Sequence, residues 1–256
     1  MTHQPRSLKY EYELFVEQEI EAYKESVPRS VLLRIGDEAV TALAAQQQLA
    51  LTEVLLTAEV DRIIRQRVRI PAYRTWCRRR TKALQEFRRP ERWGLRPDGA
   101  VARAVPIAAA GHVLVAGTAE EGPAVFLAAN GCAVTAIEPA EEVVERVMHA
   151  AVEVGIAGRV RGFVGQVAGW APDRPLNAVI CAATAFAGLS ETERAEAIEL
   201  LQRATTLGGI HVLQRRGSDD AEAPSFDELA ARYDGWEISV EGSTDAAATF
   251  LATKLS

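Results

Sequence analysis

The chain has 256 residues, 48% apolar and 25% charged, with three cysteines, four histidines and a formal net charge of −6. This is a globular composition, long enough to bury a core without disulfides or a structural metal, and it excludes disordered, collagenous and disulfide-rich classes. Cys77, Cys132 and Cys181 share no CxxC spacing and the histidines form no HxxxH pattern, so no metal site is expected and the thiols read as reduced, cytoplasmic ones.

The opening residues, MTHQPRSLKYEYELF, carry charge and no apolar run, unlike a signal peptide. From Leu8 the apolar positions Tyr12, Phe15, Val16, Ile20, Tyr23 and Val27 recur at three- and four-residue steps, which predicts a helix closed by Pro28. A second helix is expected from an N-cap at Ser30, and a third from about Thr52 to just before Pro71. A fourth should cover AYRTWCRRRTKALQEF and end by Pro90. Residues 1–92 thus read as a helical N-terminal domain, and WGLRPDGAVARAVP, residues 93–106, as a linker.

The texture changes over residues 107–256. HVLVAG is a continuous apolar run, as in a strand buried on both faces of a parallel sheet, and a helix follows to Asn130. AVTAIE is the next strand and AEEVVERVMHAAVEV its crossover helix. RVRGFVG and LNAVICAA are strands, and Ser190-x-x-Glu193 is a capping box opening a helix. GGIHVLQ is a strand and SFDELAARY a short helix. WEISVEG and AATFLATKL follow with too little chain between them for a crossover, so they must pair antiparallel. The expected fold is α/β: a doubly wound, seven-stranded, mostly parallel sheet ending in an antiparallel hairpin. The longest apolar run, AVICAATAFAGL, falls short of the roughly 18 residues that span a bilayer, so no membrane association is expected.

In such a sheet a ligand sits at the carboxyl ends of the strands, beside the first one. The turn there reads GTAEEG, and Glu138 ends the second strand, where a carboxylate can accept both hydroxyls of a ribose. VLVAGTAEEGPAVFLAANGCAVTAIEP, together with GWEISVEG and AATFLATK, resembles the class I S-adenosylmethionine-dependent methyltransferases. The likeness is greatest to their small-molecule branch of tellurite-resistance and thiopurine-type enzymes, and it covers about three fifths of the chain. It implies a Rossmann-like fold, S-adenosylmethionine as cofactor and in-line methyl transfer to a small or medium-sized acceptor. It sets Gly117 at the first glycine of the turn, Thr118 at a position often Cys or Ser, and Ala119 at the second glycine. Glu120 falls at a variable position and Glu121 at the third glycine. It makes Glu138 the ribose acid, followed by Pro139. Gln166 becomes the adenine contact with the Val167 N–H beside it, and Ala182 to Thr184 lie next to the methyl-transfer position. Asn177 replaces an acid that commonly opens the fourth strand. Tyr12 and Arg74 are further candidate substrate contacts. No catalytic base stands out, and methyl transfer depends mainly on placing the nucleophile in line.

Ala119 adds a methyl group to the turn, and Glu121 brings a charged side chain where a backbone should approach the cofactor, at a cost wherever φ is positive. A second reading is therefore a binding or scaffold protein that kept the fold and lost the pocket. A third is a nicotinamide-dependent oxidoreductase, since Gly117 and Gly122 have the outer spacing of GxGxxG. Against the third, none of the five tyrosines has a lysine four residues on.

Charge is unevenly spread. Residues 61–103 hold fourteen Arg and Lys against four acids, a net of +10, between segments of net −5 and −11. Either these arginines pair with acids of the same chain, the favoured expectation, or they face a nucleic acid or an anionic substrate. A nucleic-acid face requires cations left over after intramolecular pairing. The helices are expected to act as a lid, a substrate selector or a homodimer interface.

Overall fold

The computed structural model describes residues 7–45, 53–216, 225–243 and 247–255. The chain divides into two compact units, Met1–Arg80 and Thr81–Ser256.

The first unit contains helices α1 (Leu8–Ser26), α2 (Arg29–Ala45) and α3 (Glu53–Val68) and the start of α4 (Tyr73–Phe87). Val16 and Ile20, one turn apart on α1, meet Ile35 and Ala39 of α2 and Ile63 and Ile64 of α3. The four-residue spacing puts each α1 and α2 pair on one helix face. Tyr12, Phe15, Tyr73 and Trp76 form an aromatic cluster with centroids 5.3–6.4 Å apart. Ion pairs Arg80–Glu11, Lys24–Asp61 and Arg67–Glu38 tie the helices together. Helix α2 starts at Arg29 rather than after a Ser30 cap, because the Pro28 carbonyl already accepts the Val31 N–H at 2.9 Å.

The second unit opens on the rest of α4, followed by a 3-10 turn, Pro90–Trp93, and helix α5 (Ala100–Ile107). Sequence punctuation suggested a linker over 93–106. In the structure the side chains of Ala100, Val101 and Ala104 are part of the core, being small enough for the helix to lie close to the sheet. Then follow β1 (His112–Ala116), α6 (Gly122–Ala129), β2 (Ala133–Glu138), α7 (Glu141–Glu153), β3 (Val160–Val164), β4 (Leu176–Ala182) and α8 (Glu191–Ala204). β5 (Thr205–Arg216), α9 (Phe226–Ala230), β6 (Trp236–Ser243) and β7 (Ala247–Lys254) complete it. The seven strands lie in the order β3-β2-β1-β4-β5-β7-β6, parallel except for β7, which runs antiparallel to both neighbours. The doubly wound sheet with its closing hairpin is thus as the sequence predicted.

Two cores lie on opposite faces of the sheet, as the two-residue period of a strand requires. Val113, Val115, Val134, Ala136, Ala178 and Ile180 face α5, α6 and α7, whereas Leu114, Ala116, Ile137, Val179 and Cys181 face α8 and α9. Helix α6 is buried along its whole length, consistent with its sequence GPAVFLAA. Among the described residues no helix is long and apolar enough to cross a membrane.

Candidate functional site

Strand register brings the site together. Ala116 pairs with Ile137 on one side and Cys181 on the other, and Glu138 pairs with Val164. The turn after β1, the end of β2 and the end of β4 therefore lie in one row at the carboxyl edge, where strand order reverses about β1.

Gly117 takes φ +64°, and a Cβ on it would come within 2.6 Å of the Ala185 Cα, so both dihedral and space demand glycine. The Thr184 hydroxyl donates to the Gly117 carbonyl, closing the turn onto the end of β4. Ala119 also lies in the left-handed region, at φ +58°. Glu121 does not: it caps α6 at φ −73°, ψ −22°, an ordinary helical conformation. The expected difficulty is thus reversed between the two non-glycine positions. The strain falls on Ala119, and Glu121 turns its carboxylate outward, 3.2 Å from Arg146 Nε on α7. Arg146 also donates to the Ala119 carbonyl at 3.2 Å. In the sequence Arg146 is marked only as a lone cation one turn after Glu142 on an acidic helix.

Glu138 is the centre of the arrangement and is 2% exposed. One carboxylate oxygen accepts the Thr118 N–H at 2.8 Å and faces the Thr118 hydroxyl at 2.9 Å; the other accepts the Ala119 N–H at 3.1 Å. The same hydroxyl also reaches the Glu120 carbonyl at 2.9 Å, so its single proton has two acceptors to choose from. Burial pushes the Glu138 pKa above the usual carboxylate range, against the opposing pull of the turn N–H groups, the Thr118 hydroxyl and the Arg146 charge.

The other candidates fall into two groups. Ala119, Glu120, Pro139, Gln166 and Thr184 are exposed around this edge, while Thr118, Val167 and Ala182 are buried beneath it. The Gln166 side chain donates to the Ala187 carbonyl at 3.2 Å, which links the loops after β3 and β4. Trp170 packs against the core formed with α8. Asn177 is not part of the site. It opens β4 at the opposite edge of the sheet, where its carbonyl oxygen accepts the His112 N–H at 3.0 Å. In the first unit, the Tyr12 hydroxyl donates to the Pro71 carbonyl at 2.8 Å within the aromatic cluster, and Arg74 is exposed on α4. Among the described residues no group of His, Cys, Asp and Glu could hold a metal ion.

The carboxylate has acceptor capacity for nucleoside hydroxyls once the Thr118 hydroxyl turns to Glu120. Glu138 is 2% exposed and bonded to the Thr118 and Ala119 N–H groups, so a ribose reaches it only if this turn opens. The residues fit a nucleoside on this condition.

No family model matches the sequence, nor does any curated protein. Solved structures do share the fold. An rRNA methylase from Streptococcus thermophilus aligns at a TM-score of 0.50 and 15% identity, over 61% of this chain and 95% of that one. A candidate rRNA-methylase from Clostridium thermocellum gives 0.50 and 14%, over 61% and 94%. At such identities the likeness is one of fold.

Proposed function

We propose that this chain is an S-adenosylmethionine-dependent methyltransferase acting on a small or medium-sized acceptor, in the cytoplasm. The observation that carries the reading is Glu138, a carboxylate at the end of β2 held by the N–H groups of the β1 turn. That pairing of acid and turn stands at the reversal point of a sheet ordered 3-2-1-4-5-7-6. Glu138 would bind the ribose hydroxyls, Gln166 and the Val167 N–H the adenine, and the Gly117–Glu121 backbone the aminoacyl end. The cofactor, when bound, supplies an electrophilic sulfonium methyl. The chain's own contribution is to orient the acceptor beside Ala182–Thr184 and to exclude water. Cys77, Cys132 and Cys181 are free thiols, in keeping with a reducing compartment.

One observation favours a second reading, a fold that binds partners without a cofactor: the Glu138 carboxylate is buried and already bonded within the chain. Calorimetric titration of the purified protein with S-adenosylmethionine and S-adenosylhomocysteine, with NADH as control, separates the two. The methyltransferase reading expects micromolar binding of the first pair, lost in Glu138→Ala, and none of NADH. Absence of heat and of thermal shift with either sulfur nucleoside would favour the second reading.

A further inference from the structure

The basic segment pairs only in part. Arg62, Arg67, Arg80 and Arg89 have carboxylate partners in Glu59, Glu38, Glu11 and Glu86. Arg74, Arg78, Arg79 and Lys82 are exposed on α4, and among the described residues none of them has a carboxylate within ion-pair distance. Arg74, Arg78 and Lys82 follow at four-residue steps, so they line one face over roughly 12 Å of helix. Thr81 and Gln85 on that face are polar and uncharged, and Glu86, the next residue at four-residue spacing, is paired with Arg89. The buried face is different in kind: Trp76 joins the aromatic cluster and Phe87 the sheet core.

This distribution works against the helix that carries it. Arg74 sits in the first turn, at the positive end of the dipole, and the helix's one acid, Glu86, in the last turn, at the negative end. Like charges at four-residue spacing also repel. A face selected for solvation or helix stability would hold acids among the cations and place them in the reverse order. An external polyanion removes both penalties. We propose that this face of α4 binds the phosphate backbone of a single-stranded nucleic acid. Three cations in line suit a repeating anion, and two of them, Arg74 and Arg78, are guanidinium groups able to hold phosphate through two N–H bonds at once. Tyr73 lies on the other side of α4, packed against Tyr12 and Trp76, so the contact runs through the phosphates alone. A membrane surface is disfavoured because this face carries no apolar side chain to insert. The inference is independent of cofactor binding.

The test is fluorescence anisotropy of the full chain with labelled 20-nucleotide RNA and DNA strands over a range of KCl concentrations, with poly-glutamate as competitor. Binding should weaken with salt, and the triple variant R74Q/R78Q/K82Q should lose at least tenfold in affinity at 100 mM salt. It should also flatten the log–log salt slope by about 2, since each neutralised phosphate of a single strand contributes about 0.7. The control R29Q/R34Q, which removes exposed cations from α2, should bind as the wild type. The triple variant should melt no lower than the wild type, because it relieves repulsion. R78Q alone, with a smaller loss of affinity, serves if the triple variant does not fold. No binding at 50 mM KCl, equal losses in the control variant, or displacement by poly-glutamate as effective as by unlabelled strand would each overturn the proposal.

Discussion

Ala119 carries a left-handed backbone that an L-residue adopts at a cost of about 1–2 kcal/mol, held there by the bond from its N–H to Glu138 and the bond from Arg146 to its carbonyl. Gly117, two residues earlier, needs the same region but also lacks room for a side chain. The two positions therefore respond oppositely to substitution. Ala119→Gly removes a strained Cβ from an exposed position, offset in part by the greater freedom of glycine in the unfolded chain. The expected net gain is up to about 1 kcal/mol, read as a higher midpoint in urea denaturation. An unchanged or lower midpoint would mean that the bonds to Glu138 and Arg146 do not hold the turn in this conformation. If S-adenosylmethionine binds, the same variant should bind it at least as tightly, since glycine adopts this conformation without strain.

At the scale of elements, local chemistry sets where α1, α8 and α9 begin, each at a serine cap. The box at the start of α8 is complete: the Glu193 N–H donates to the Ser190 hydroxyl at 3.3 Å, and the Glu193 carboxylate takes the Ser190 N–H at 2.9 Å. Those hydrogen bonds hold the Glu193 carboxyl below its ordinary pKa. Ser190→Ala removes the side-chain cap and should cost about 1 kcal/mol, a fall of roughly 2–4 °C in Tm for the unit that melts with α8. A fall well beyond that would point to a role of Ser190 outside the cap. This box was visible in the sequence because its two members are three residues apart and need no tertiary partner. The strands were visible for a related reason: apolar runs such as HVLVAG and AVTAIE leave few ways to be buried on both faces. What the sequence could not reveal depends on contacts between distant segments. Which turn residue takes positive φ was settled by Ala185 packing on Gly117 and by Glu138 drawing in the Ala119 N–H, from 68 and 19 residues away. The outward turn of Glu121 depends on Arg146, 25 residues on. The helix at 100–107 was hidden by prolines and glycines around it, and only packing against the sheet reveals that its Ala and Val side chains belong to the core.

At the scale of the whole molecule, the buried histidines link the fold to proton concentration. His211 on β5 is enclosed by α8, α9 and the closing hairpin. The Thr205 hydroxyl donates to the Leu201 carbonyl at 2.7 Å, so towards His211 Nε2, also at 2.7 Å, it can only accept. Nε2 therefore carries the ring proton, and Nδ1 accepts from the Tyr233 hydroxyl at 2.8 Å. A second proton on the ring would break the Tyr233 bond and place a cation near Lys254, whose ammonium donates to the Gln202 and Thr205 carbonyls. Burial, with a further contribution from Lys254, pushes the His211 pKa down to about 3. Burial also lowers that of His112, whose Nε2 lies 2.8 Å from the Thr135 hydroxyl on β2. Both groups are thus depressed below their unfolded value of about 6.5. Their contribution is complete above that pH and falls away as the solution becomes more acidic, because the unfolded chain then binds protons that the folded one refuses. His211 contributes a slope approaching about 1.4 kcal/mol per pH unit well below 6.5, and His112 acts in the same direction. Urea midpoints measured between pH 7.5 and 5, above the range where most carboxylates titrate, should fall steadily, and His211→Gln should make that fall markedly shallower. A variant that loses stability at every pH but keeps the full slope would show that His211 is protonated in the native protein, with Nδ1 donating to the Tyr233 hydroxyl instead of accepting from it.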